Sequence, residues 1–251
     1  MDLGIEGRVA LVLGASRGIG AGIGAALGRE GARVAMASRS LEHLGEAAAD
    51  LPVEPALFEA DTADLERLAR LPVEVAERLG PIEILVTNTG GPPPGGALDA
   101  PLETWRGAYE SLVLAPRVLV EAALPAMRER GWGRIVNVGS SSTIEPQPQL
   151  TLSNTHRLAT VGFFKTLARE VARDGVTVNT VATGKIATDR LSQLTGASLE
   201  QLAEGAKESI PAGRLGTPAE YGDLVAFLAS ERAGYVTGSV IPLDGGLMHA
   251  I

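Results

Sequence analysis

Residues 14–20, Gly14-Ala15-Ser16-Arg17-Gly18-Ile19-Gly20, set three glycines directly ahead of a helical pattern. A glycine turn lets backbone N–H groups approach a pyrophosphate, which then sits at the positive end of the helix dipole. A glycine turn that merely packs a helix onto a strand reads alike in isolation. Its place behind the first strand of a long alternating series favours the nucleotide. At the end of the second strand the chain runs Ala37-Ser38-Arg39-Ser40. An acid there would accept hydrogen bonds from a ribose 2′-OH and select NAD. A guanidinium at Arg39, joined by Arg17, suits a dianionic 2′-phosphate through charge-assisted forks. The expected cofactor is NADP, with NAD the weaker fit and an ordinary solvated Arg39 the alternative.

Other chemistries are excluded by composition. The chain has no cysteine, hence no disulfide, thiolate metal site or cysteine nucleophile. His43, His156 and His249 are too scattered for a zinc site, so no metal is expected. Lysine and arginine number 22 against 30 aspartates and glutamates, a net charge of −8, which gives nucleic acid no electrostatic footprint. With 45% apolar and 21% charged residues the 251-residue chain can bury a sizeable core. No run reaches the ~18 apolar residues of a membrane span, and Met1 to Arg8 lacks the marks of a leader. The expectation is a cytoplasmic protein of one domain, residues 1–251.

The elements that must position these groups follow from periodicity. Short buried apolar runs predict strands at 9–13, 33–37, 53–60, 82–87, 134–139, 176–181 and 239–243. Longer stretches predict helices at 18–30, 41–49, 64–79, 102–130, 150–173 and 218–230. This alternation is the pattern of βαβ units around a parallel sheet. Two stretches break it: the loop 90–96, with three prolines between glycines, and a lid-like segment at 187–210 with weak helical character. In open α/β sheets ligands bind beyond the carboxyl ends of the strands, which places both on the functional side.

The spacing GxxxGxG, with Asp61 after the third strand, Thr87-Asn88-Thr89-Gly90 after the fourth and Gly133-Arg134-Ile135-Val136-Asn137 in the fifth, resembles the short-chain dehydrogenase/reductase family. Val178-Asn179, Thr183-Gly184 with Thr188, and Leu243-Asp244-Gly245-Gly246 extend the resemblance over essentially the whole chain. It is nearest to the 3-oxoacyl-acyl carrier protein reductase branch. The resemblance implies a Rossmann-type doubly wound α/β fold, a three-layer sandwich around a seven-stranded parallel sheet in the order 3-2-1-4-5-6-7. It also implies that Gly14, Ser16, Gly18, Ile19 and Gly20 line the pyrophosphate and that Ser38 stands with Arg17 and Arg39 at the ribose phosphate. Asp61 and Thr62 would meet the adenine, Asn88 and Gly90 the adenosine ribose side, and Gly184, Ile186 and Thr188 the nicotinamide amide. A homotetramer is implied as well. Leu13 and Thr183 depart from the family's threonine and proline at those places.

The family reduces carbonyls with an Asn-Ser-Tyr-Lys tetrad, and here most of it is replaced. The serine falls on Ser140, with Ser141 and Ser142 as register alternatives. The Tyr-x-x-x-Lys pair falls on Ser153 and Arg157, and the asparagine on Leu112. Ser153 and Arg157, four apart, share a helix face. A serine hydroxyl is a poor acid near neutrality and arginine does not release its proton there, so the pair cannot trade protons as tyrosine and lysine do. Arg157 can still attract an oxyanion and bond ribose hydroxyls. Pro116, which lacks an N–H, would leave the carbonyl of Leu112 free for a relay water or mark a simple kink. Two functions are therefore expected in competition. One is an NADP-dependent oxidoreductase of a small-molecule or acyl-thioester carbonyl with an atypical proton route. The other is an NADP(H)-binding pseudoenzyme serving as sensor or inactive subunit.

Overall fold

The computed structural model describes residues 1–49 and 51–250. Strands β1 (Val9–Leu13), β2 (Arg33–Ser38), β3 (Ala56–Glu59), β4 (Ile84–Thr87), β5 (Gly133–Val138), β6 (Val176–Thr183) and β7 (Val240–Leu243) form one seven-stranded sheet in the order β3-β2-β1-β4-β5-β6-β7. Every pairing is parallel. β1 and β4 are buried at every position, because helices cover both faces and leave no side for polar alternation. One face packs under α3 (Leu65–Leu79), α5 (Ala115–Arg130) and α6 (Thr151–Val171), with Leu71, Leu119 and Phe164 in its core. The other packs under α1 (Gly18–Arg29) and α9 (Pro218–Leu228), with Ile23, Val86 and Tyr221.

α1 and α9 approach to backbone contact. A Cβ on Gly22 would lie 2.3 Å from the Pro218 carbonyl oxygen, and one on Gly222 would lie 2.3 Å from that of Gly22. Polar groups are handled by a ladder across the sheet: Thr87 Oγ1 donates to Asn137 Oδ1 at 3.1 Å, and Asn137 Nδ2 to Thr180 Oγ1 at 3.4 Å. Asn179, in the Val-Asn motif, ties β6 to the approach of β7, donating to the Val236 carbonyl at 2.7 Å and accepting from Ser239 N at 3.2 Å.

Several bounds differ from expectation. β3 begins at Ala56 rather than 53, since Pro55 has no N–H for the ladder. The helix expected over 102–130 is α4 (Leu102–Tyr109), a π-type turn (Glu110–Leu114) and α5, with Pro116 at the start of α5. A ring without an N–H at that point loosens the regular ladder, and the wider turn absorbs it. The lid-like segment folds as α7 (Asp189–Thr195) and α8 (Leu199–Ser209), the latter opened by a Ser198/Gln201 capping box. A short helix, α2 (Leu41–Ala49), joins β2 to β3.

Candidate active site

The glycine loop closes for steric reasons visible atom by atom. Gly14 and Gly18 have φ of +62° and +53°, the left-handed region that glycine enters without strain. A Cβ on Gly14 would meet the Asn88 carbonyl at 2.4 Å, one on Gly20 the Gly14 carbonyl at 2.1 Å, and one on Gly18 the Thr188 methyl at 3.0 Å. Asn88 Nδ2 donates to the Gly14 carbonyl at 3.2 Å, so its amide braces the loop. No side chain caps α1, and Arg17 precedes it in extended conformation. The first-turn amides of α1 are thus presented to an anion, with no Cβ in the way.

Arg39 is exposed just past β2 and, among the described residues, makes no ion pair. Arg17 is also exposed, reaching Asp189 of α7 only at 3.9 Å. Ser38 is turned into the chain, its Oγ 3.2 Å from the Ser40 carbonyl. Asp61 accepts from Ala63 N at 3.0 Å with one oxygen. Thr62 follows it in the same turn, and Ile186 is buried beside Gly216. Thr188 caps α7 through a 3.3 Å bond from Leu191 N. Gly184 allows close packing, since a Cβ there would lie 2.5 Å from the Asp244 Cα.

At the reactive end, Ser142 rather than Ser140 stands against Ser153: their hydroxyl oxygens are 3.4 Å apart and both side chains are buried. Ser140 Oγ is occupied as a cap, accepting from Ser142 N at 3.1 Å. The short turn Ser141–Thr143 brings this about by rotating the third serine of the run inward. Arg157 donates to the Val138 carbonyl at 2.8 Å and to the Gly90 carbonyl, strapping the ends of β5 and β4. Burial holds its guanidinium down to about 10 from the usual 12.5, and Arg190 adds to the effect. Leu112 is buried and its carbonyl is not free, as Pro116 alone had implied: Thr160 Oγ1 on α6 lies 2.7 Å from it and 2.8 Å from the His156 carbonyl, sharing its one proton between the two.

Neither His156 nor Tyr221 is arranged to act as an acid at this point. His156 faces α4, its ring 5.2 Å from Trp105, and its Nδ1 lies 2.8 Å from the Leu152 carbonyl, which only a protonated nitrogen can satisfy. Tyr221 is fully buried, its hydroxyl 2.8 Å from Thr183 Oγ1, and burial pushes the phenol well above its ordinary value. Reach across loops, which spacing does not encode, was missed by sequence reasoning. Arg190 on α7 donates to the Pro92 carbonyl at 2.7 Å, and Gly95 bridges to Leu150, with Gly95 N donating to the Gln149 carbonyl at 2.7 Å. The proline loop therefore lies pinned over the carboxyl ends of β4 and β5.

Residues 14–248 match the family model described as Enoyl-(Acyl carrier protein) reductase. The chain belongs to the short-chain dehydrogenase/reductase family. It is 36% identical over 243 residues to the 3-oxoacyl-[acyl-carrier-protein] reductase FabG of Haemophilus influenzae, covering 97% of this chain and 99% of that one. Its fold superposes on L-sorbose reductase from Gluconobacter frateurii, solved with NADPH and L-sorbose, at a TM-score of 0.91 with 32% identity and complete coverage of both chains. A 3-oxoacyl (acyl-carrier-protein) reductase from Agrobacterium tumefaciens, solved with NADP bound, gives a TM-score of 0.90 and 29% identity over 98% of this chain and 96% of that one. The seven-stranded parallel sheet and its strand order are those expected.

Proposed function

We propose that the chain is an NADP-dependent reductase or dehydrogenase of a small carbonyl or hydroxyl compound, working as a single-domain, cytoplasmic homotetramer. The observation that carries the cofactor is the exposed Arg39, with Arg17 across the glycine loop and no acid at the end of β2. The three glycines, each standing where a Cβ would collide or strain, are the second support, and the NADPH- and NADP-bound relatives agree with it. Exposed apolar side chains, Leu158 on α6 and Phe227 on α9 with Tyr235 beyond it, support the assembly. Among the described residues no helix is long and apolar enough to cross a membrane.

When bound, NADPH supplies a hydride to a carbonyl carbon. The chain's own part is to hold the carbonyl and steady the charge on its oxygen. The facing hydroxyls of Ser142 and Ser153 donate hydrogen bonds there, and Arg157 contributes a fixed positive charge while keeping its proton. Ser140 holds the turn that aims Ser142. Proton delivery then falls to water or to the substrate, since neither a serine hydroxyl nor an arginine trades a proton near neutrality. A lost general acid typically costs about 10² to 10⁴ in rate. The second reading, a nucleotide-binding pseudoenzyme, is favoured by one observation: Arg157 already spends donors on two main-chain carbonyls.

Calorimetric titration with NADPH and NADH, in wild type and Arg39→Ala, tests the cofactor assignment. NADPH should bind at least tenfold more tightly, and the substitution should remove most of that preference. Turnover of acetoacetyl thioesters with NADPH separates the two functional readings. A rate two to four decades below an ordinary ketoacyl reductase is expected. Complete inertness, persisting in Ser153→Tyr/Arg157→Lys with cofactor affinity intact, selects the pseudoenzyme.

A further inference from the structure

Two guanidiniums converge on one three-residue stretch of the proline loop. Arg157, from α6, bonds the Gly90 carbonyl, and Arg190, from α7, bonds the Pro92 carbonyl at 2.7 Å. Carbonyls two residues apart are at most ~7 Å apart along the chain. Arg190 also crowds the residue between them: a Cβ on Gly91 would lie 3.0 Å from its Nη2. Both cations are thus held by the same segment, and Arg157 stands one turn along α6 from Ser153, whose hydroxyl faces Ser142.

Among the described residues, neither guanidinium has a carboxylate within ion-pair distance, although the chain carries more acids than bases. Asp189, next to Arg190 in sequence, sits 3.9 Å from Arg17 instead. Main-chain carbonyls satisfy donors but leave net charge uncompensated. A fold gains nothing from setting the desolvated Arg157 beside a second, more exposed guanidinium at Arg190, since the two like charges repel. Burial lowers the pKa of each, and of five N–H donors Arg157 commits two and Arg190 one to main-chain carbonyls, which leaves the others for an oxyanion.

We infer that Arg157 and Arg190 form a subsite for an acidic group on the substrate, a carboxylate or a phosphate, so that the compound handled is an anionic keto or hydroxy compound rather than a neutral thioester. This rests on the reductase reading and narrows its substrate class. An anion seated between the two arginines places the rest of a small substrate against the serine hydroxyls. Arg190 stands on α7, within the segment expected to act as a lid.

The test is binding, which does not require turnover. Protein saturated with NADP⁺ is titrated calorimetrically with acetoacetate, dihydroxyacetone phosphate and the neutral methyl acetoacetate, in wild type, Arg190→Ala and Arg190→Lys. A direct NADPH titration of each variant runs alongside. At least one anion should bind wild type tenfold or more tightly than the ester. Arg190→Ala should lose that margin, Arg190→Lys should keep part of it, and all three should bind NADPH within about twofold of one another. Which anion wins distinguishes carboxylate from phosphate. Equal binding of ester and anions in wild type, absence of binding by all three, or anion affinity unchanged in Arg190→Ala overturns the subsite. A large loss of NADPH affinity with anion binding intact also overturns it, by assigning Arg190 to the cofactor. Failure of NADPH to bind wild type at all would instead remove the underlying reductase reading.

Discussion

Replacing Arg157 with methionine, which keeps the stem and removes the charge, measures what the strap is for. Two hydrogen bonds from a charged donor, to the Val138 and Gly90 carbonyls, stabilise the fold by about 1.5–3 kcal/mol each. Against this stands the cost of burying the guanidinium. A pKa held down from 12.5 to about 10 corresponds, at 1.36 kcal/mol per pH unit, to about 3 kcal/mol. The carbonyl of exposed Gly90 is taken over by water, whereas Val138 is buried and its carbonyl loses a partner. The contributions nearly offset, so Arg157→Met should change the unfolding free energy by only about 0–3 kcal/mol in urea titration. Cofactor and substrate binding should suffer more than stability. A loss beyond about 4 kcal/mol would refute the reasoning, showing that the strap is a structural tie whose charge the fold needs.

Three other perturbations test neighbouring parts of the structure. Gly222→Ala forces a methyl to within 2.3 Å of the Gly22 carbonyl oxygen and should destabilise by about 1–3 kcal/mol, measured by urea unfolding, with larger losses for Gly222→Val. Thr160→Val removes the hydroxyl that serves the opened turn at Leu112, leaving a buried carbonyl unpaired at about 1–3 kcal/mol, whereas Thr160→Ser should be mild. Glu220 is held down to about 2 by the Arg214 guanidinium and by the Thr217 amide and hydroxyl. Its contribution is present above the ordinary carboxylate value of 4.5 and fades as pH falls toward 2. Wild type and Glu220→Gln should therefore converge in melting temperature across that window, and a constant gap down to pH 2 would contradict the assignment.

The sheet was legible because strands covered on both faces run mainly apolar: Val9 to Leu13 and Ile84 to Val86 carry that burial in their composition. The glycine loop was legible for a related reason, since a backbone that must touch Asn88 and Thr188 leaves room for one residue type. Legibility ended where position depends on rotation within a turn or on reach across loops. Which of three consecutive serines meets Ser153 is set by the short turn at Ser141–Thr143, to which periodicity is blind. Pro116 announced an opened carbonyl at Leu112, but its donor, Thr160, lies 48 positions away on another helix. Arg190 sits in a segment whose mixed pattern hid α7, so its bond to Pro92 could not be read from spacing.

The backbone contact between α1 and α9 divides the molecule mechanically. Helices that touch at Gly22 and Gly222 have no side-chain layer between them to deform, so they tilt together or not at all. The glycine loop rides on one and the Tyr221 anchor to β6 on the other, making this face a single stiff slab under the glycine loop. Any opening of the cleft must then be taken up on the opposite side, by the proline loop and α7, whose attachments are individual hydrogen bonds rather than interlocked main chains. Hydrogen exchange should divide along the same line, with amides of α1 and α9 opening only on global unfolding and those of 90–96 and α7 exchanging through local motion.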